Sequence, residues 1–186
     1  STPVGLLEFT AKLRELSGGK PAGFKLCIGR PHEFLAVCKA MGTTGIYPDF
    51  IVIDGAEGGT GAGPVEFLDH MGVPLTEGLL FAQNALIGMG VRNHVRLAAS
   101  GKIATAFNIA QRMAIGADWC NAARAFMFAV GCIQAERCHT NTCPVGVATQ
   151  DARLYRGLVI TDKSERVRNY HCNTLEALAE VTAAAG

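Results

Sequence analysis

The sequence predicts an α/β fold, the C-terminal half of a (βα)8 TIM-type barrel carrying a cysteine-rich loop and a closing C-terminal helix. Three observations predict it. Short apolar runs alternate with stretches of helical period, the pattern of parallel strands joined by crossover helices. Four such units fill the 186 residues, whereas a complete barrel needs about 250; a small doubly wound sheet is the other way to arrange four units. Finally, three of the four loops that follow strands carry unusual glycine, serine and basic residues, all on the rim where α/β folds bind ligands.

The elements read in order. In LLEFTAKLREL (6–16), Leu6, Phe9, Leu13 and Leu16 share one helical face before the stop at Gly18-Gly19. AGFKLCI (22–28) is a strand, and PHEFLAVCKAM (31–41) a helix with Pro31 in its first turn. FIVID (50–54) is the second strand, followed by a glycine-rich loop (55–63) and a helical stretch over 75–89. HVRLAA (94–99) is the third strand, KIATAFNIAQRMAI (102–115) its helix, and ADWCNAA (117–123) a short fourth strand. The cysteines crowd into 125–150, and a helix with a polar stripe spans 164–185. The expected division is a partial barrel over 1–150, including the cysteine loop 131–150, and a C-terminal helical segment over 151–186. Two open strand edges predict that the N-terminal half of the barrel pairs with this chain.

Composition excludes several classes. With 17 basic and 16 acidic side chains, net charge +1, no general basic field exists to recruit nucleic acid or a membrane surface. No run approaches the roughly 18 apolar residues of a membrane span. The start, STPVGLLEFTAKLREL, lacks the basic, apolar and small-residue zones of a secretory signal. Seven cysteines are too dilute for a disulfide scaffold and odd in number. The expected compartment is the cytoplasm. Cys27 and Cys38, in apolar segments, read as small buried hydrophobes.

On the rim, Lys25 ends the first strand as an ammonium in an apolar run. It is either an edge lysine with its stem along the core or a cation that stabilises negative charge developing on a ligand ring. The loop IDGAEGGTGAGP (53–64) offers Gly58, Gly59, Gly61 and Gly63 for close backbone approach to a ligand, or for a tight turn. Its spacing does not fit a dinucleotide fingerprint. Asp54 and Glu57 beside it read as loop-ordering or solvated. Ser100, Gly101 and Lys102 stand before a predicted helix, a phosphate-favouring arrangement, and Arg124 after the fourth strand can add a bidentate contact. A nucleoside-triphosphate P-loop is rejected because Ile103 follows Lys102 and the upstream glycine is absent. Two adjacent loops sharing one phosphate match the site between strands seven and eight of barrels.

The sharpest signal is GCIQAERCHTNTCPVGVATQ (131–150), with Cys132, Cys138 and Cys143 spaced C-x5-C-x4-C before Pro144. Such dense thiolates suit an iron–sulfur cluster of three or four irons, or zinc with His139 as a fourth ligand; free thiols are the remaining alternative.

GGTGAGP, SGK and GCIQAERCHTNTCPVGVATQ, in this order and with similar intervals, resemble the FMN-binding synthase domain of glutamate synthase. The resemblance runs from about residue 20 to 180 and is closest to the stand-alone branch without a fused glutaminase. It implies a (βα)8 barrel with FMN at its mouth. It implies a 3Fe–4S cluster on Cys132, Cys138 and Cys143, and cofactor contacts from Gly58, Gly59, Thr60 and Gly61. Lys25 matches the family's strand lysine. Where the family reads D-G-G, this chain has Ser100-Gly101-Lys102, and where it reads G-T, Ala123-Arg124; both changes add positive charge at the phosphate position. The implied activity is reduction of 2-iminoglutarate, formed from 2-oxoglutarate and ammonia or a related amine, to glutamate by hydride from FMN. Electrons would come from a donor protein or subunit through the cluster. The rivals are another phosphate-binding flavin or nucleotide barrel enzyme, similar to dihydroorotate or IMP dehydrogenases, and a structural zinc or electron-transfer module without catalysis.

Overall fold

Four short parallel strands form one sheet in sequence order: β1 (Gly23–Cys27), β2 (Phe50–Asp54), β3 (Arg96–Ser100) and β4 (Trp119–Asn121). The structure is a computed structural model that describes residues 2–57 and 63–186. The strand order never reverses, as it does in a doubly wound sheet at its switch point. Crossovers of the usual right-handed sense, all running in one direction, lead to helices on a single face of such a sheet.

The helices are α1 (Pro3–Leu16), α2 (Pro31–Thr44), α3 (Leu75–Gly88), α4 (Ala106–Ile115), α5 (Ala123–Val130), α6 (Ala152–Tyr155) and α7 (Ile160–Ala185). Contacts divide the chain into two units. One comprises Ser1–Glu57, His70–Gly101 and Arg112–Asn121; the other Gly58–Asp69, Lys102–Gln111 and Ala122–Gly186.

The first unit holds the sheet and its core. Register pairs Leu26 with Ile53 and Ile53 with Ala99, so one sheet face is a continuous apolar layer. Ile51, Ile53, Leu97 and Ala99 are fully buried in it, as are Leu7, Cys38, Met41, Leu75, Leu79 and Leu86 from the helices. Burial raises the Cys38 thiol to about 11, so it behaves as the small hydrophobe its neighbours predict. Cys27 departs from that expectation. It is exposed, because the two-residue period of a strand puts it on the face of Lys25 and opposite Leu26.

The amino ends of the strands are clamped by partly buried charge. Asp118 accepts from the Leu97 N–H (2.8 Å), Arg92 (2.9 Å) and Arg96 (3.0 Å), while Arg92 also donates to Gln83 and to the Val95 and Gly116 carbonyls. Asp49 makes the corresponding brace below β1 and β2, accepting from the Ala22 N–H at 2.7 Å and Arg14 at 2.8 Å. Partial burial pushes both carboxyls up, but these donors outweigh it and hold both below the ordinary carboxylate range.

Depressed folded-state values mean stability that is present above the unfolded value and lost as pH falls through the folded one. We therefore expect Asp118→Asn to lower the melting temperature at pH 7, with the gap to wild type closing below about pH 4. A gap independent of pH would assign the loss to packing.

In the second unit α5 packs on α7. Phe126 and Tyr170 meet edge to face at 5.1 Å, and the Tyr170 hydroxyl donates to the Ala104 carbonyl at 2.7 Å. Element ends shift by a few residues throughout, and two departures from the sequence reading change the chain around the predicted site residues. Helix α4 begins at Ala106 rather than at 102, because Thr105 caps it: its Oγ1 accepts from the Asn108 N–H at 3.2 Å, and Asn108 Oδ1 accepts in return from the Thr105 N–H. Residues 123–130 form a full helix where no helix was expected. No described helix is long and apolar enough to cross a membrane.

Candidate functional site

The second sheet face carries a row of polar side chains. Cys27 pairs in register with Asp54, Asp54 with Ser100, and Ser100 with Asn121, so one row of polar side chains crosses the carboxyl ends of all four strands. The next row towards the amino ends is Lys25, Val52, Ala98 and Trp119. Carboxyl ends of parallel strands are where α/β folds bind ligands, since strand ends and loops present side chains and N–H groups there together.

Within this face Lys25 Nζ lies 3.0 Å from Asp54 Oδ2, with the lysine side chain 54% and the aspartate 23% exposed. Lys25 therefore stands at the rim with a partner that the sequence reading did not give it. Asn121, exposed at the end of β4, was not singled out either, although strand alternation alone would place it beside Ser100. Cys27 is pushed up by burial of its sulfur and, to a lesser extent, by the Asp54 and Glu57 carboxylates.

Glu57 proves to be a loop-ordering residue. Its carboxylate accepts the Leu75 N–H at 2.9 and 3.1 Å and so caps α3, whose own N-cap residue, Pro74, supplies no side-chain acceptor. Gly58, Gly59, Thr60 and Gly61 lie outside the described residues.

Ser100 closes β3 and is buried, and its carbonyl accepts from the Gly55 N–H at 2.8 Å. The chain then turns through two left-handed residues, Gly101 (φ 137°) and Lys102 (φ 46°). A Cβ at 101 would approach the Gly55 nitrogen to 3.2 Å, which together with the φ explains the glycine. Lys102 thus stands four residues ahead of α4 rather than at its first turn. In the second unit its ammonium is held by Asp69 at 2.5 Å. Ala123 and Arg124 are the first two residues of α5, which has no side-chain cap.

The cysteine loop begins on a helix end. Gly131 takes the left-handed position after α5, and the Cys132 N–H donates to the Met127 carbonyl at 2.9 Å. The Gln134 N–H points at Cys132 Sγ (3.4 Å). Further on, Asn141 braces the loop by accepting from Gln150 N–H (2.6 Å) and Thr149. Cys132 is half-buried, Cys138 exposed and Cys143 buried.

Burial pushes the Cys143 thiol up, but the backbone N–H groups of Ala148, Val145, Val147 and Gly146 outweigh it and lower the value below that of an ordinary thiol. A concave run of amides that favours a thiolate is suited to a metal ligand, which must be deprotonated. Among the described residues, no three His, Cys, Asp or Glu side chains are gathered closely enough to hold a metal ion. The sequence reading expects Cys132, Cys138 and Cys143 to share one centre, but the three sulfurs are spread along the loop rather than gathered around one point.

Residues 2–186 match the family described as the conserved region in glutamate synthase. The glutamate synthase large subunit-like protein YerD of Bacillus subtilis is 46% identical over 186 residues, all of this chain and 35% of that protein. The archaeal glutamate synthase (NADPH) of Methanocaldococcus jannaschii is 33% identical over 181 residues, 97% of this chain and 35% of that protein. A chloroplastic ferredoxin-dependent glutamate synthase 2 of Arabidopsis thaliana is 41% identical over 115 residues, 62% of this chain and 7% of that protein. The chain thus spans about a third, or less, of the curated relatives it matches. With the family's region matched from residue 2 to 186, the chain belongs to the glutamate synthase family.

Proposed function

We propose that this chain is the C-terminal half of an FMN- and iron–sulfur-dependent (βα)8 barrel that reduces 2-iminoglutarate, formed from 2-oxoglutarate and ammonia or a related amine, to glutamate. The observation that carries the reading is the family match from residue 2 to 186, which includes the Cys132–Cys138–Cys143 loop. Unreversed parallel strand order, and a polar row at the carboxyl ends of the strands, support the half-barrel. The remaining barrel half and an electron-donor protein or subunit complete the assembly. In this reading the partial barrel covers 1–150 and the helical segment 151–186, and the odd cysteine count fits the cytoplasm.

When bound, FMN supplies hydride transfer and one-electron exchange. The chain's own residues bind and orient. Lys25 offers its ammonium to a carboxylate of the oxoacid or to negative charge on the flavin ring. Ser100, Gly101 and Lys102 meet the phosphate, with a phosphate oxygen replacing the Asp69 carboxylate at Lys102, and Ala123 and Arg124 contribute from the start of α5. Gly58, Gly59, Thr60 and Gly61 admit the flat ring close to the backbone. Cys132, Cys138 and Cys143 hold the cluster, Cys143 as a thiolate already stabilised by its amides.

The test is anaerobic purification with an absorption spectrum and iron, sulfide and zinc assays, followed by FMN titration through fluorescence quenching. Lys102→Ala with Arg124→Ala removes two charge-assisted contacts worth roughly 1.5–3 kcal/mol each. The double variant should bind FMN at least tenfold more weakly; unchanged affinity would move the phosphate elsewhere. A colourless protein that holds only zinc would refute the flavin and cluster reading.

A further inference from the structure

Asp54 reads from the sequence as a solvated or loop-ordering acid, yet it ends an inner strand, in register with Cys27 of β1 on one side and Ser100 of β3 on the other. Its backbone is therefore fixed, and its carboxylate is the less exposed member of the pair with Lys25. Lysine brings the opposite properties: a flexible four-carbon stem and three rotatable donors. β1 and β2 are already joined along five residues each, and an ion pair this exposed contributes little to stability. What the pair does achieve is geometric. The ammonium is drawn to within 3.0 Å of Asp54 Oδ2, which biases the lysine stem toward one side of the strand ends.

We propose that Asp54 is a positioning residue: its carboxylate holds the Lys25 ammonium over the carboxyl ends of β1 and β2, where that ammonium meets the oxygens of a carboxylate-bearing ligand. The inference rests on the role proposed for Lys25 above. An anion approaching from the side away from Asp54 meets a cation already in place. Without Asp54 the same cation samples several rotamers, and the ligand must order it.

The experiment uses the holoenzyme and two independent readouts. Reductive methylation with 13C-formaldehyde labels lysine amines without removing their charge, and the Lys25 signal is assigned by its loss in Lys25→Met. In wild type this signal should stand apart from those of mobile surface lysines; in Asp54→Asn it should move to the surface position and sharpen. For turnover with 2-oxoglutarate and ammonia, misplacing a positioned group costs up to about 100-fold. We expect kcat to fall about tenfold in Asp54→Asn with KM changed less than about threefold, and Asp54→Glu to recover most of the loss. In the Lys25→Met background, Asp54→Asn should add less than about twofold, because residues that act as a unit are not additive. An unmoved Lys25 signal, or losses that multiply independently, overturns the positioning role. Full turnover in Lys25→Met would instead refute the function assigned to Lys25, and the amine signal would still decide whether Asp54 holds it.

Discussion

Replacing Cys143 by serine is expected to strip the purified protein of visible cluster absorbance and of iron, the largest single effect anticipated here. A serine hydroxyl does not ionise near neutral pH, so the lone pairs that the amides of 145–148 stabilise on sulfur would have no equivalent. Cys132→Ser and Cys138→Ser should give the same loss, since a cluster needs all three thiolates from this loop. Cys38→Ser is the control. Its sulfur is buried within the sheet unit and its thiol is raised to about 11, so iron and absorbance should persist while stability falls. Stoichiometric iron in the triple cysteine variant would dismiss the assignment.

The second large effect is structural. Gly55 follows β2, and a Cβ there would lie 2.7 Å from the Leu75 backbone nitrogen, 2.6 Å from its Cβ and 2.4 Å from Glu57 Oε2. Gly55→Ala would therefore displace the first residue of α3 and the carboxylate that caps it. Overpacking costs about 1–3 kcal/mol and loss of a cap about 0.5–2, so roughly 2–4 together. For a protein of this size that is a fall of at least about 5 °C in melting temperature. Gly88→Ala, at the end of the same helix, meets nothing within 4 Å and should leave the melting temperature unchanged or raise it. Equal melting temperatures in the two variants would show that the turn after β2 yields without strain.

Much of this was legible from residue order. The second strand falls on Phe50–Asp54 as the apolar run FIVID predicts, and the alternation of elements gave four parallel strands. The cysteine spacing and the SGK and glycine motifs pointed to the family that the comparisons show. What escaped depends on contacts across strands. Lys25 and Asp54 are 29 positions apart, and only the register of β1 against β2 brings them to 3.0 Å. Asp118 reads as an ordinary turn residue until β3 and Arg92 converge on it. The start of α4 was misplaced because Lys102 looked like a helix residue, whereas the cap lies with Thr105, three residues on. Cys27 was misjudged by its apolar neighbours; counting by twos from Leu26 would have turned it outward.

The charged clamps at Asp49 and Asp118 and the polar row from Cys27 to Asn121 lie at opposite ends of the same strands. One end is committed to holding the sheet together, and the other makes few contacts that the fold requires. Substitutions at 27, 54 and 121 should therefore be tolerated by the folded state far better than substitutions at 49, 92 or 118, with the buried Ser100 the exception in its row. A library confined to those three strand ends would vary the polar row without first having to regain a folded sheet.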